Sequence, residues 1–197
     1  MPKKTDNHRP ESKLALRRHF LRAYHSDSPA HVLDCCQATG LLWKKLTKEF
    51  SLARYLPLDV KPRKGRLKLD SSRYLASPGW THNVVDIDTY GSPWDHWLAL
   101  LKTAPAQPLT VFLTIGMTTI AGGAMSNSSK LVLGLTFRAT MPKSLTAQLH
   151  DRATLAMLAH ARRCRFEIAE CLEAPRGEHA RYIGVRLVPM DSVPAGA

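Results

Sequence analysis

Short apolar runs recur along this chain, and each ends in a polar or glycine-containing loop. Four of them have the length of buried strands: residues 30–35, 55–60, 83–87 and 109–116. The segments 41–52 and 94–101 place apolar residues at helical spacing between these runs. An alternation of strand and helix at short intervals predicts an α/β fold with a mainly parallel sheet.

Further elements flank this alternating region. Apolar residues at helical spacing follow Pro10, which predicts a helix that reaches Tyr24, and residues 66–69 predict one more short strand. A helix over 145–162 precedes two alternating runs, 165–172 and 180–187. Two such runs across a short turn predict an antiparallel hairpin. We therefore expect a Rossmann-like, doubly wound, mainly parallel sheet of about seven strands with a C-terminal antiparallel hairpin.

The 197 residues are enough for one domain with a sizeable core. We expect residues 1–10 to be a disordered basic arm, residues 11–190 to form a single domain and residues 191–197 to be a tail. Glycine, serine and proline interrupt residues 121–150, which contain only one apolar run. We predict that this segment is a substrate loop or a cover over the site.

The first segment with candidate chemistry is residues 32–40, VLDCCQATG. An apolar run ends in Asp34, small residues follow, and Gly40 precedes an amphipathic run. A strand, a tight turn and a helix in this order are typical of a site for a nucleotide-like cofactor. The second segment is residues 84–93, VVDIDTYGSP, and it ends where an open α/β sheet places its reacting groups.

The first segment resembles the pattern V-L-D-x-x-x-G-x-G of the class I S-adenosylmethionine-dependent methyltransferases. The chain keeps Val32, Leu33, Asp34 and Gly40, and it has Ala38 where the family usually has glycine. The resemblance implies a parallel core closed by an antiparallel hairpin. It also implies S-adenosylmethionine as the cofactor.

The second segment resembles the D-P-P-Y class of amino-methyltransferase motifs, and most closely the D-P-F-G-S-P of the tRNA N2,N2-dimethylguanosine enzymes. The matching residues are Asp88, Gly91, Ser92 and Pro93, while Thr89 and Tyr90 replace proline and phenylalanine. Those enzymes are far longer than this chain, so their substrate does not carry over. The resemblance as a whole spans residues 30 to 120.

The cofactor carries a cationic sulfonium and an adenosine, so its site needs acids and a close backbone turn. We predict that Asp34 orients the methionine end, Asp59 binds the ribose hydroxyls and Asp70 accepts from the adenine amine. Cys36, Ala38 and Gly40 form the turn. The alternative is that each acid is an ordinary strand-end or helix-capping residue.

The two segments, together with the basic N-terminal third of the chain, predict methyl transfer to an exocyclic amine of a nucleic-acid base, with RNA favoured over DNA. Asp88 can accept one N–H of the amine and the Thr89 carbonyl another, so the site acts by positioning and electrostatics. Tyr90 offers a ring for base stacking, and Pro93 keeps the loop tight. The alternative is that residues 88–91 are only a turn after a strand.

The net charge of +12 is uneven, because residues 1–75 contain 17 Lys and Arg against 7 Asp and Glu. A phosphate backbone is attracted to such a surface. The predicted nucleic-acid-binding residues are Lys13, Arg17, Arg18, Arg22, Arg63, Lys64 and Arg66. The alternative is a solvated basic face that aids solubility.

Other chemistries remain open alternatives. Some ribose 2′-O-methyltransferases use a Lys-Asp-Lys-Glu set, and Lys13, Asp88, Lys130 and Glu167 occur in that order. Methylation of a protein or a small molecule, or a non-catalytic nucleic-acid-binding role, is also compatible with the sequence. Pyrimidine carbon-5 methylation is disfavoured, because it needs a cysteine at the substrate face.

The four cysteines, Cys35, Cys36, Cys164 and Cys171, have neither zinc-site nor disulfide spacing, so we expect no metal. The N-terminus is polar and lacks the apolar core of a secretory signal, and no apolar stretch approaches the roughly 20 residues that span a bilayer. We expect a cytoplasmic protein without a membrane partner. The sequence leaves the oligomeric state open.

Overall fold

The structure is a computed structural model that describes residues 10–61, 67–89, 91–116, 126–135, 146–174 and 180–190. The helices in these ranges are α1 Pro10–His25, α2 Leu41–Leu46, α3 Ser71–Ala76, α4 Trp94–Thr103, α5 Asn127–Leu133 and α6 Thr146–Arg163. The strands are β1 Ala30–Asp34, β2 Leu52–Pro57, β3 Val84–Ile87, β4 Leu109–Gly116, β5 Phe166–Glu173 and β6 Ala180–Pro189.

Within the described residues, the strands form one six-stranded sheet in the order β2-β1-β3-β4-β6-β5. The first four of these are parallel neighbours, and β6 is antiparallel to both β4 and β5. The chain moves outward from β1 to β2 and then returns to pair β3 on the other side of β1. This reversal creates a crevice at the carboxyl ends of β1 and β3, where open α/β sheets bind ligands.

Apolar side chains cover both faces of the sheet. On one face, α1 and α2 contribute Phe20, Trp43 and their apolar neighbours to a cluster with Val32 and Val84. On the other face, the remaining helices pack against Leu33 and its neighbours. Because successive strand residues point to opposite faces, Val32 and Leu33 supply one side chain to each layer. The sheet is therefore doubly wound, as predicted.

Helix α1 crosses β6 at a glycine. A Cβ atom added to Gly184 would lie 2.5 Å from the ring of Phe20. Phe20 also meets Phe112 edge to face, with ring centroids 5.8 Å apart. The absence of a side chain at Gly184 lets α1 approach the sheet closely, which brings the inner face of α1 to the crevice.

Three element predictions need correction. The third strand, predicted at 66–69, is absent from the described part of that segment, where Lys68 makes only an isolated bridge to Asp59. The Asp70 side chain accepts from the Ser72 and Arg73 amides and so begins α3. This accounts for six strands where about seven were expected. Helix α2 is also shorter than predicted, and β2 begins three residues earlier, at Leu52.

Some predictions lie outside the described residues. These are the arm at 1–9, the basic residues Arg63, Lys64 and Arg66, the ring of Tyr90, most of the 121–150 segment, the hairpin turn and the tail. In the residues that are described, no helix is both long and apolar enough to cross a membrane.

Candidate functional site

A cavity of about 920 Å³ opens at the carboxyl ends of β1 and β3. It brings together residues that are far apart in the sequence, from the loops after β1, β2 and β3 and from α1. The predicted site residues that line it are Asp34, Cys36, Ala38, Gly40, Asp59, Asp70, Asp88 and Thr89. The two segments that the sequence analysis identified therefore face one common space.

Hydrogen bonds connect the turn after β1 to the loop after β2. The Gln37 amide donates to the Leu58 carbonyl at 3.1 Å, and the Ala38 amide donates to the Asp59 carboxylate at 3.0 Å. Ala38 has a φ of 45° and Gly40 a φ of 69°. Both residues thus adopt the left-handed conformation that glycine tolerates best, which is why the resembling pattern prefers glycine at this turn.

Asp59 and Asp70 have structural partners at the cavity wall. Besides the Ala38 amide, Asp59 accepts from the Lys61 amide at 2.8 Å. Asp70 caps α3, accepting from the Ser72 amide at 2.9 Å, and the hydrogen bond from the Ser72 hydroxyl lowers the pKa of Asp70. Asp70 is therefore a helix-capping residue, which was the alternative prediction. The contact of Asp59 with ribose and that of Asp70 with adenine stay predictions.

Asp34 ends β1 and is only 3% exposed. Its carboxylate accepts from the Tyr55 hydroxyl at 2.8 Å, and its neighbour across the ladder to β3 is Asp86. Burial and the adjacent negative charge of Asp86 raise the pKa of Asp34 to about 8. In the ligand-free protein at neutral pH, Asp34 is therefore mainly protonated.

Asp86 was not among the predicted site residues, although it lies at the centre of the buried charge network. Arg17 donates to both of its oxygens, at 2.8 and 2.6 Å, and the Trp43 indole donates at 2.7 Å. The sequence did contain an indication of this arrangement. An acid inside the apolar run 84–87 needs a buried cation, and Arg17 lies on the apolar face of the predicted first helix.

Asp88 follows β3 and is held by two side chains. The Lys13 ammonium lies 2.8 and 2.7 Å from its two oxygens, and the Thr114 hydroxyl donates at 2.6 Å. Burial opposes ionisation of Asp88, but the charges of Lys13 and Arg17 outweigh burial and hold its pKa below the usual value. Asp88 is therefore an ionised acceptor at the cavity.

Two of the predicted nucleic-acid-binding residues are not at the surface. Lys13 is 4% exposed and Arg17 is 2% exposed, and each is paired with an acid of the cavity region. The prediction that they contact phosphates on an exposed face is wrong, because α1 turns them toward the sheet. Arg18 and Arg22 do lie on the outer face of α1, where Arg18 pairs with Glu49.

The loop after Asp88 packs tightly on β4. The Gly116 amide donates to the Gly91 carbonyl at 2.8 Å, and a Cβ atom at Gly116 would lie 2.9 Å from that oxygen. Gly91 has a φ of 102°, which favours glycine. Pro93 is the residue before α4 and is not part of the cavity lining, so its place in the described structure is that of a helix boundary.

The cavity thiols are buried or half-buried. Burial raises the pKa of both Cys35 and Cys36, so both remain protonated thiols. Across the described ranges of the chain, no group of three His, Cys, Asp or Glu residues is arranged to hold a metal ion.

The Lys-Asp-Lys-Glu alternative fits only in part. Lys13 and Asp88 are in contact. Glu167, however, pairs with Val188, whereas the cavity end of β6 is Ala180, which pairs with Gly116. Eight residues of antiparallel strand correspond to about 27 Å. The sheet register therefore places Glu167 at the opposite end of the sheet from Asp88.

The fold is that of the class I S-adenosylmethionine-dependent methyltransferases. The structure is similar to Trm1 from Pyrococcus horikoshii in complex with S-adenosyl-L-methionine, with a TM-score of 0.64 and 15% identity, over 92% of this chain and 56% of that chain. This chain thus spans little more than half the length of the Trm1 chain.

Two other solved structures extend this likeness. A putative hemolysin from Lactococcus lactis has a TM-score of 0.60 at 14% identity, over 91% of this chain and 88% of that one. Magnesium protoporphyrin IX methyltransferase (ChlM) from Synechocystis PCC 6803 with bound SAH has a TM-score of 0.52 at 14% identity, over 91% and 83%. No protein-family model and no curated protein matches the sequence. At these identities the likeness establishes the fold.

Proposed function

We propose that this protein transfers a methyl group from S-adenosylmethionine to an exocyclic amine of a nucleic-acid base, with RNA favoured over DNA. One observation carries the proposal. Asp88, fixed by Lys13 and Thr114, shares a single cavity with the backbone turn after β1. A methyl-accepting group and a cofactor bound at these two places would lie side by side.

The residues on the cofactor side fit S-adenosylmethionine. Of the three acids Asp34, Asp86 and Asp88, the last two are paired with cations of α1, whereas in the described residues Asp34 has only the Tyr55 hydroxyl. A ligand that carries positive charge suits the acid without a cation. Solved structures with this fold contain S-adenosylmethionine or SAH, which supports the same choice. When bound, the cofactor supplies an activated methyl group.

The residues on the acceptor side act by position and charge. Oδ1 of Asp88 accepts from Lys13 and from Thr114, and among the described residues Oδ2 accepts only from Lys13. A carboxylate oxygen has two lone-pair sites, so Oδ2 keeps one for an N–H of the substrate. The lowered pKa keeps Asp88 ionised at neutral pH. Asp88 can therefore orient the amine and stabilise the positive charge that develops on its nitrogen.

An exposed basic surface beside the cavity suits an RNA backbone. Arg18 and Arg22 lie on the outer face of α1, and Lys44, Lys45 and Lys48 are exposed on and after α2. Lys45 is the residue of this basic surface that lines the cavity, so a phosphate chain that binds along α1 and α2 passes the cavity at Lys45 and can place a base near Asp88.

The cofactor assignment is tested by calorimetric titration with S-adenosylmethionine and with its demethylated product. We expect micromolar binding that is lost in Asp34→Ala and retained in Asp27→Ala, an exposed acid before β1. Absence of binding to either compound, with a native circular dichroism spectrum, would refute the methyltransferase function. It would favour the alternative of a non-catalytic nucleic-acid binder.

The partner assignment is tested with radiolabelled cofactor on separate pools of unmodified RNA transcripts, DNA and protein. We expect label in RNA, with transfer that weakens as salt rises. The double variant Arg18→Glu/Arg22→Glu should raise the KM for RNA, whereas Arg162→Glu/Arg163→Glu on α6 serves as the matched control. Label in protein alone, with little dependence on salt, would refute the nucleic-acid assignment.

A further inference from the structure

Within the described part of the chain, the buried hydroxyl of Thr89 has no hydrogen-bond partner. Thr89 is 8% exposed and lines the cavity directly after Asp88. Among the described residues, none forms a hydrogen bond with its Oγ1 atom. A buried hydroxyl left without a hydrogen bond costs about 1–3 kcal/mol, so such groups are rare in native proteins.

Three other hydroxyls that line the cavity have partners. Ser71 donates to the Cys35 carbonyl at 2.7 Å, Thr114 donates to Asp88 at 2.6 Å, and Ser92 lies 3.3 Å from the Ser129 hydroxyl. These three hydroxyls hold the walls of the cavity together. Thr89 differs from them because its hydroxyl forms no hydrogen bond with any residue that the structure describes.

Thr89 is also a position at which the chain departs from the motif that it resembles. The D-P-F-G-S-P pattern has proline directly after the acid, and proline has neither a side-chain donor nor a backbone N–H. Threonine here adds one group that can both donate and accept a hydrogen bond. That hydroxyl belongs to the residue next to Asp88, whose carboxylate is proposed to accept a hydrogen bond from the amine.

We propose that the Thr89 hydroxyl hydrogen-bonds the substrate base beside its methyl-accepting amine, which makes Thr89 a specificity-determining residue. This inference rests on the proposed function. Thr89 lines the cavity, and rotation about χ1 moves Oγ1 among three staggered positions without backbone movement, so the hydroxyl can be directed toward a bound base.

The chemistry of the partner follows from the neighbouring acceptor. In guanine, adenine and cytosine, the carbon that bears the exocyclic amine is also bonded to at least one ring nitrogen with hydrogen-bonding capacity. A site that offers Asp88 to the amine and Thr89 to the ring nitrogen matches that edge. An aliphatic amine has no such second group, and it would leave the Thr89 hydroxyl unpaired. Thr89 thus favours a heteroaromatic amine over a lysine-like one.

Stability measurements provide the first half of the test. Thr89→Val replaces the hydroxyl by a methyl group of similar size, so it should leave the melting temperature unchanged or raise it. Thr110→Val is the matched control, because the buried Thr110 hydroxyl bonds to His25 at 2.9 Å and to Arg186 at 3.0 Å. The control should lower the melting temperature. An equal decrease in the melting temperature of Thr89→Val would overturn the inference, because it would show that the Thr89 hydroxyl forms a hydrogen bond within the protein.

Methyl transfer to the pool of unmodified RNA transcripts provides the second half. We expect Thr89→Val to reduce kcat/KM about tenfold or more and to leave S-adenosylmethionine affinity unchanged, while Thr89→Ser retains most of the activity. A kcat/KM of Thr89→Val within twofold of wild type would overturn the inference and leave the proposed function intact. A wild type that binds the cofactor but labels no RNA would overturn both.

Discussion

Asp34 and Asp88 lie at the carboxyl ends of neighbouring parallel strands and line the same cavity, yet their pKa values move in opposite directions. Burial and the charge of Asp86 raise the pKa of Asp34 to about 8. Burial also favours a raised pKa at Asp88, but the positive charges of Lys13 and Arg17 outweigh this effect and lower the pKa of Asp88. The difference arises from α1, which supplies cations to the acids of the β3 segment and no ion pair to Asp34.

This contrast divides the cavity into two halves with different tasks. The β3 half contains two acids and two cations in ion pairs, so its charge is balanced before any ligand arrives. The β1 half contains Asp34, which is mainly protonated at neutral pH until a positive charge approaches. We infer that the cationic ligand binds on the β1 side. An uncharged acceptor then fits the β3 side.

The largest expected effect comes from removing the acceptor-side acid. Asp88→Ala should lower methyl transfer by about 10³-fold, since an ionised, preoriented group is lost at the reacting amine. S-adenosylmethionine affinity should change by less than about threefold, because the cofactor half keeps Asp34 and its turn. Calorimetry and single-turnover transfer of label measure the two quantities. Full activity in Asp88→Ala would refute its assigned role, and Asp27→Ala is the acid-to-alanine control.

Lys13→Met removes the cation that distinguishes Asp88 from Asp34. Breaking a buried ion pair should cost about 3–5 kcal/mol of unfolding free energy, measured by urea denaturation. The pKa of Asp88 should then rise, because burial persists without the nearest positive charge. Transfer should consequently fail at a higher pH than in wild type as the solution is acidified.

The pH–rate profile separates this role from a purely structural one. Lys13→Arg keeps the charge and should restore the acidic limb of the wild-type profile, even if the longer side chain reduces the rate. An acidic limb that is unchanged in Lys13→Met would show that Lys13 does not control ionisation of Asp88.

The raised pKa of Asp34 predicts that cofactor binding depends on pH. Binding of a cationic ligand should release a proton from Asp34, so affinity should rise about tenfold per pH unit below pH 8 and level off above it. Calorimetry at pH 7 in buffers of different ionisation enthalpy should count about one proton released. Asp34→Asn should release none and show a flat profile. Equal proton release in Asp34→Asn would contradict the assignment.

The same group makes the stability of the ligand-free protein depend on pH. The pKa of Asp34 is about 8 in the folded state and about 3.9 in an unfolded chain, so the folded state binds the extra proton between these values. The stabilisation is fully present below pH 4 and is lost as pH rises through 8. Asp34→Asn should therefore exceed wild type in stability at pH 8 by more than it does at pH 5.

The sequence was sufficient for the positions of Asp34 and Asp88, because each directly ends or follows an apolar strand at the sheet edge that binds ligands. It was insufficient for Lys13 and Arg17. The apolar-face position of Arg17 and the acid within the run 84–87 indicate a buried ion pair, but its partners are identified only when the strand with Asp86 is placed against α1. The contrast between the two acids depends on that long-range pairing, so no local pattern predicts it.

The prediction of a third strand at 66–69 was wrong for a related reason. The apolar residues near 66–69 favour a strand, but Asp70 has a local alternative, since its carboxylate caps the amides of Ser72 and Arg73. Local capping competed with sheet pairing and ended the bridge at Lys68. Asp59 lies beyond the end of β2, and its carboxylate accepts from the Ala38 amide of the cofactor turn and from the Lys61 amide of its own loop.

The smallest expected effect tests whether backbone shape, as distinct from charge, defines the β1 half. Ala38 has a φ of 45°, a conformation that costs an alanine about 1–2 kcal/mol and glycine almost nothing. Glycine also makes the unfolded chain more flexible, which offsets about 0.4–1 kcal/mol of the gain. Ala38→Gly should therefore raise the free energy of unfolding by about 0.5–1 kcal/mol.

Ala23→Gly, on the exposed face of α1, is the control with the opposite sign, because glycine within a helix costs about 1 kcal/mol. Cofactor affinity should be equal or slightly higher in Ala38→Gly, since the turn keeps the same shape with less strain. The pH dependence conferred by Asp34 should be unchanged. A loss of stability in Ala38→Gly would mean that the methyl group of Ala38 packs against its neighbours in the turn. Alanine at this position would then stabilise the turn, and would not merely be tolerated in place of glycine.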